Sequence, residues 1–149
     1  MKIAVASDHA GYNYKSEIIK HLTNLGYEII DCGTHSLDSC DYPIFAKEAA
    51  NKVANKEVTF GVLVCSSGEG IMIAANKVKG IRCGIGYDDV VTEYTRRHND
   101  ANMISFGANY MKLEDVIRRV DIFLNTPFEG GRHQERLNMI QEIEKENMK

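Results

Sequence analysis

No stretch of the chain approaches the ~20 consecutive apolar residues that cross a bilayer. The apolar run at its start, in MKIAVASDHAG, is short and interrupted by Asp8. Neither a membrane span nor a secretory signal is therefore expected, and a cytoplasmic address follows by elimination. No run of like charge stands out: 18 basic and 21 acidic side chains leave a formal charge of −3. Nucleic acid and anionic membrane are accordingly not expected as partners. The four cysteines, Cys32, Cys40, Cys65 and Cys83, include no CxxC pair, so metal-type spacing is missing and no disulfide framework is expected. At least three of them read as small core hydrophobes; Cys65 has to be judged by its surroundings. No repeat, low-complexity stretch or linker divides the 149 residues, a length that suits one domain with a real core, 1–149.

What is present is an alternation of short apolar runs with longer segments of helical period. Strands are expected at Lys2–Ala6, Tyr27–Asp31, Val58–Val64, Ile81–Ile85 and Asn102–Phe106. A first helix from about Gly11 carries Ile18, Leu22 and Leu25 and stops at Gly26. Asp41 is placed to cap a second, with Pro43 in its first turn and Phe45, Ala49, Ala50 and Val53 on one face. A third helix runs from about Gly70 to Val78. A fourth is capped by Asp88, with Val90, Val91 and Tyr94 on its apolar side. In a fifth, Leu113, Val116, Ile117, Val120 and Leu124 form a stripe that ends at Asn125-Thr126-Pro127. Strand–helix alternation five times over predicts an α/β, doubly wound, Rossmann-like sheet of five parallel strands with helices on both faces. Gly130-Gly131 opens a last helix, charged nearly all round, whose thin seam of Leu137, Ile140 and Ile143 suits contact with a partner subunit over 130–147.

The third strand runs into VLVCSSGEGIMIAANK. Ligands of such sheets sit beyond the carboxyl ends of the strands, where the strand order reverses, and Asp8, His9 and the Cys65–Gly70 loop share that edge. Two glycines let the loop turn tightly and present the Ser66, Ser67, Gly68, Glu69 and Gly70 amides to an oxyanion. The start of a helix also favours thiolate at Cys65. A phosphatase loop would need an arginine six positions on, where Ile71 stands. A nucleotide fingerprint would need more than a single G-x-G. The remaining reading makes the thiolate a base that removes a carbon-bound proton beside a carbonyl while the amides hold the enediolate.

Other polar groups carry two readings each. Ser67 is either a turn serine or a shuttle for hydroxyl protons. His98 is either a helix C-terminal cap or, protonated at that position, a donor to a sugar ring oxygen. Arg132 and Arg136 lie four apart, a mildly destabilising like-charge spacing, and Arg132 also opposes the helix dipole. Either they are solvated, with Glu135 as a partner, or they hold a phosphate dianion. His21, His35 and His133 read as surface residues.

SDHAG, CSSGEGI…AANK, RHNDAN and EGGRHQER, in this order, resemble the B-type ribose-5-phosphate isomerases over nearly the whole chain. The resemblance implies interconversion of ribose 5-phosphate and ribulose 5-phosphate in carbohydrate metabolism, within the pentose phosphate pathway. It implies no metal or organic cofactor, and a homodimer or tetramer with shared active sites. By position it makes Cys65 the base, Ser67 the hydroxyl shuttle and His98 the ring-opening acid. Asp8, His9, Ser66, Gly68, Glu69, Gly70 and Asn99 become substrate contacts, and Arg132 and Arg136 phosphate ligands. Asn109 stands where relatives often carry a phosphate-binding arginine. Glu69 replaces a usually neutral residue, and the glutamate base of one branch falls at Ile71, so Cys65 keeps the role. Allose 6-phosphate and galactose 6-phosphate isomerases share the chemistry. A sugar-phosphate sensor without turnover would lack the base or the acid, and this chain has both.

Overall fold

Alternate residues of the strands enter two separate cores, one on each face of the sheet. The computed structural model describes residues 1–148. Its strands are β1 (Lys2–Ser7), β2 (Glu28–Asp31), β3 (Phe60–Cys65), β4 (Cys83–Ile85) and β5 (Met103–Gly107). All pair in parallel, in the order β2-β1-β3-β5-β4. The helices are α1 (Tyr12–Asn24), α2 (Tyr42–Ala54), α3 (Glu69–Ala75), α4 (Asp89–Arg97), α5 (Leu113–Asn125) and α6 (Arg132–Asn147).

Ala4, Ala6, Leu63, Cys65 and Met103 face the helix pair α2 and α3. Ile3, Val5, Val62, Val64, Ile104 and Phe106 face α1 and α5. Fully burying a Val, Leu, Ile or Phe side chain stabilises by about 1.5–3 kcal/mol, so continuous apolar strands covered on both sides are what a parallel sheet requires. The expected doubly wound fold is the observed one. Two ion-paired groups stand out in this frame: Lys15, only 2% exposed, aligns its ammonium with both Asp31 carboxylate oxygens at 2.7 and 2.8 Å.

Several local expectations need correction. The helix after the Cys65 loop is shorter than Gly70–Val78, because Asn76 turns away to bond Cys83 through its side chain (2.8 and 2.9 Å). Asp88 does cap α4, accepting from the Val91 amide at 3.0 Å, whereas the Asp41 side chain makes no cap bond. In α4 the apolar side faces outward: Val90 and Tyr94 are exposed, and Thr92, Thr95 and Arg96 are buried. The threonine hydroxyls donate to the Asp88 and Thr92 carbonyls at 2.7 Å. Arg96 lies 4.7 Å over the Phe60 ring and donates to Asp100 and the Ala101 carbonyl. These polar groups are thus buried with their bonds made. On α6 the seam reduces to His133 and Leu137, with Met139, Ile140 and Ile143 exposed.

Candidate active site

The sheet order reverses at β1 and β3: from β1 the chain crosses to β2 on one side, and β3 lies on the other. Asp8 and His9 follow β1, and the Cys65 loop follows β3, so both flank the crevice where ligands of such sheets bind. Asp8 accepts the Gly11 amide on one oxygen at 3.1 Å. His9 accepts the Cys40 amide on Nδ1 at 3.2 Å, which puts the ring proton on Nε2 and makes that nitrogen a donor. Cys40, expected as a core hydrophobe, is half-buried beside this histidine, its sulfur 3.8 Å from Nδ1.

Cys65 ends β3 with its Sγ turned into the glycine loop, where the Gly68 amide donates to it at 3.1 Å. Gly68 makes this possible by adopting φ +86, a conformation open to glycine. The Glu69 amide donates to Ser67 Oγ at 3.2 Å, which satisfies the turn reading of that serine and leaves its hydroxyl proton free. Two of the five loop amides are therefore committed within the loop, to the sulfur and to the serine. Asn109, following β5, donates to Ser66 Oγ at 2.7 Å and pins the loop from the side.

The support of the loop includes residues that the sequence motifs did not single out. Ser105 Oγ donates to the Gly68 carbonyl at 2.9 Å. Gly107 presses its backbone on the Ser67 peptide: a Cβ there would sit 2.4 Å from the Ser67 carbonyl oxygen. Gly70 leaves room for the Tyr42 ring in the same way, 2.6 Å from its missing Cβ. A glycine ending a strand at the ligand edge is the signal that marks Gly107. Gly107→Ala is expected to destabilise the fold by about 1–3 kcal/mol, the usual cost of overpacking. A lower urea midpoint would register this, and an unchanged midpoint would contradict the close approach.

Cys32 and Cys83 are chemically quiet. Burial pushes the Cys32 thiol up to about 11, and burial raises that of Cys83 as well, against a hydrogen bond from Ser105.

His98, Asn99, Arg132 and Arg136 do not join Cys65 within one chain, which corrects the expectation that His98 stands at the ligand edge. Helix α4 runs back against the strands, so its end lies at the amino edge of the sheet. There the Asn99 carbonyl accepts from Arg82, the residue before β4. The six residues of β3 separate the two edges by about 16 Å. At the amino edge three rings stack, Tyr94 on His98 at 4.3 Å and His98 on His133 at 4.2 Å. His133, read as a surface residue, is only 7% exposed. Its burial, then the charge of His98 and, more weakly, those of Arg132 and Arg136, hold its imidazole below the ordinary histidine range against the opposing pull of Glu129. Arg132 and Arg136 are exposed, and among the described residues neither forms an ion pair; Glu135 does not serve as their partner.

Comparison with known proteins adds four findings. The sequence profile of the family described as Ribose/Galactose Isomerase matches residues 3–140. The ribose-5-phosphate isomerase B of Escherichia coli strain K12 is 44% identical over 143 residues, covering 96% of both chains. Among solved structures, the Clostridium thermocellum ribose-5-phosphate isomerase B superposes with a TM-score of 0.97 at 44% identity, over 98% of this chain and 99% of that one. The Mycoplasma genitalium ribose-5-phosphate isomerase B, solved with bound ribulose-5-phosphate, superposes with a TM-score of 0.94 at 37% identity, over 98% and 97%.

Proposed function

From its place in the Ribose/Galactose Isomerase family, to which the chain belongs, we propose that it interconverts D-ribose 5-phosphate and D-ribulose 5-phosphate through a cis-enediolate. The observation that carries this reading is the Cys65 sulfur at the carboxyl end of β3, held by the Gly68 amide at 3.1 Å.

Each site is built from two copies of the chain. A five-carbon sugar phosphate is too short to bridge the two edges of one sheet. In a two-fold dimer the same pair of surfaces meets twice, so the amino edge of each protomer faces the carboxyl edge of its partner. Exposed apolar side chains flank both halves: Leu37 and Ile44 near the carboxyl edge, Met139, Ile140 and Ile143 on α6. Such rimmed apolar surface marks an interaction site. The single domain 1–149 thus works as a homodimer with α6 turned to the partner.

The reaction then runs as follows. Arg132 and Arg136, unpaired among the described residues, clamp the phosphate, while Asn99 contacts the sugar. His98 on the same edge donates a proton to the ring oxygen and opens the furanose. From the other protomer, Asp8 accepts a sugar hydroxyl on its remaining carboxylate oxygen, and His9 donates from Nε2. The Cys65 thiolate removes the C2 proton, and the thiol so formed, after exchange with solvent, delivers a proton to C1. The thiolate charge passes to the enediolate oxygens, which the Ser66, Ser67 and Gly70 amides receive. Ser67 moves the hydroxyl proton between O1 and O2, with its own oxygen fixed by the Glu69 amide.

Incubation with ribose 5-phosphate in deuterated water tests this. Expected is ribulose 5-phosphate carrying deuterium at C1, with kcat/KM for ribose 5-phosphate above that for allose 6-phosphate and galactose 6-phosphate. Product without carbon-bound label contradicts a thiol base that exchanges with solvent, and a higher kcat/KM for either hexose phosphate moves the substrate assignment.

A further inference from the structure

The ring stack at the amino edge leaves one polar atom unexplained. His133 Nε2 is buried without any hydrogen-bond partner, at a residue 7% exposed. A buried nitrogen left bare has lost its bonds to water with nothing in their place, so it calls for a ligand. Beside it stand His98, with Nε2 3.6 Å from Glu129 Oε2, and Glu129 itself, with Oε1 4.0 Å from His133 Nε2. All three ligating atoms lie within 4.8 Å of one another. The stacking holds the two imidazoles parallel, 9° apart, with the exposed carboxylate across from both nitrogens.

We propose that His98, His133 and Glu129 form a site for a divalent transition-metal cation of the zinc class, and that its occupancy arrests turnover by taking the His98 nitrogen. The donor set is two imidazoles and one carboxylate, a set that zinc accepts at about 2.0–2.2 Å with a fourth position left to water. Imidazole donors select zinc, cobalt, nickel and copper over magnesium and calcium. Parallel rings aim their in-plane lone pairs side by side, so closing the observed separations to those bond lengths takes rotation of the two imidazoles out of their stack and a swing of Glu129. Its backbone stays anchored to the Arg97 carbonyl at 2.9 Å, and its side chain is 54% exposed and free to move. Arg132 and Arg136 oppose the cation's charge, so Glu129 has to supply the compensating one. The arrest, though not the binding, rests on the ring-opening role given to His98 above.

Titrating the metal-free full-length protein with Co²⁺ near neutral pH reads the site directly through the visible ligand-field bands. One cobalt per chain is expected, displaced by Zn²⁺ and untouched by Mg²⁺. Zn²⁺ should inhibit isomerisation with the same midpoint, and a chelator should restore it. Glu129→Gln, at an exposed position, should weaken cobalt binding by about tenfold or more, the scale on which metal sites respond to loss of a supporting carboxylate. Should His133→Gln fold, it does the same. No cobalt band, a sulfur-to-cobalt charge-transfer band, or affinity unchanged in Glu129→Gln overturns the proposal. Glu129-dependent cobalt binding by a chain that does not isomerise ribose 5-phosphate upholds the site and removes the catalytic reading. Turnover without cobalt binding does the reverse.

Discussion

Replacing Cys65 with alanine is expected to lower kcat for ribose 5-phosphate by about 10²–10⁴-fold, the contribution of a positioned base to proton transfer. The fold and the binding of substrate should survive. Cys65 is buried at the end of β3 and, among the described residues, its sulfur bonds only the Gly68 amide, so the lost side chain is small and the loop keeps its bonds from Ser105 and Asn109. The phosphate clamp and His98 sit on the opposite edge and are untouched. Ring opening should therefore continue while carbon-bound deuterium exchange stops. Full exchange in Cys65→Ala would place the base elsewhere, and Glu69, exposed on the same loop, would be the first place to look.

The second large effect belongs to the arginines. Arg136→Met should raise KM for ribose 5-phosphate by about 10–100-fold, because a hydrogen bond to a charged group is worth about 1.5–3 kcal/mol. The phosphate does not react, so the interaction is made equally in substrate and transition state, and kcat should stay close to wild type. A side chain that is exposed and without an acidic partner has no structural duty to lose, so the thermal midpoint should not fall. An equal drop in kcat with unchanged KM would mean that Arg136 acts on the chemistry instead. Asn109 adds weight to this split: it is spent on Ser66 Oγ at 2.7 Å, as the proposed phosphate clamp of Arg132 and Arg136 requires.

Most of the fold could be read from residue order, since near-continuous apolar runs between amphipathic segments admit few arrangements other than a parallel sheet. The strand ends shifted where side chains compete with the ladder: Asn76 holds Cys83 and shortens the third helix. The outward face of α4 was not legible, because Thr92, Thr95 and Arg96 are polar residues that become inward-facing only once their hydroxyls and guanidinium find backbone carbonyls. Half of the candidate site was legible as a half. Asp8, His9 and Cys65–Gly70 share an edge by strand order alone. That His98 lies at the other edge follows from the return direction of α4, a step that local motifs do not contain. His133 and Leu137 stand four apart on α6, and this spacing was the available sign that a charged helix buries one narrow side. Gly107 and Ser105 act through backbone approach and a carbonyl bond that only the packed sheet reveals.

In the proposed dimer each catalytic centre is assembled from the carboxyl edge of one protomer and the amino edge of its partner. Mixing two inactive variants, Cys65→Ala and His98→Asn, after unfolding and joint refolding tests that directly. Random pairing makes half of the dimers hybrids, each with one intact and one doubly altered site, so activity should return to about one quarter of wild type, as the symmetry of a two-fold dimer dictates. A mixture that stays as inactive as its two components would mean that each chain completes its own site, and the composite centre would be wrong.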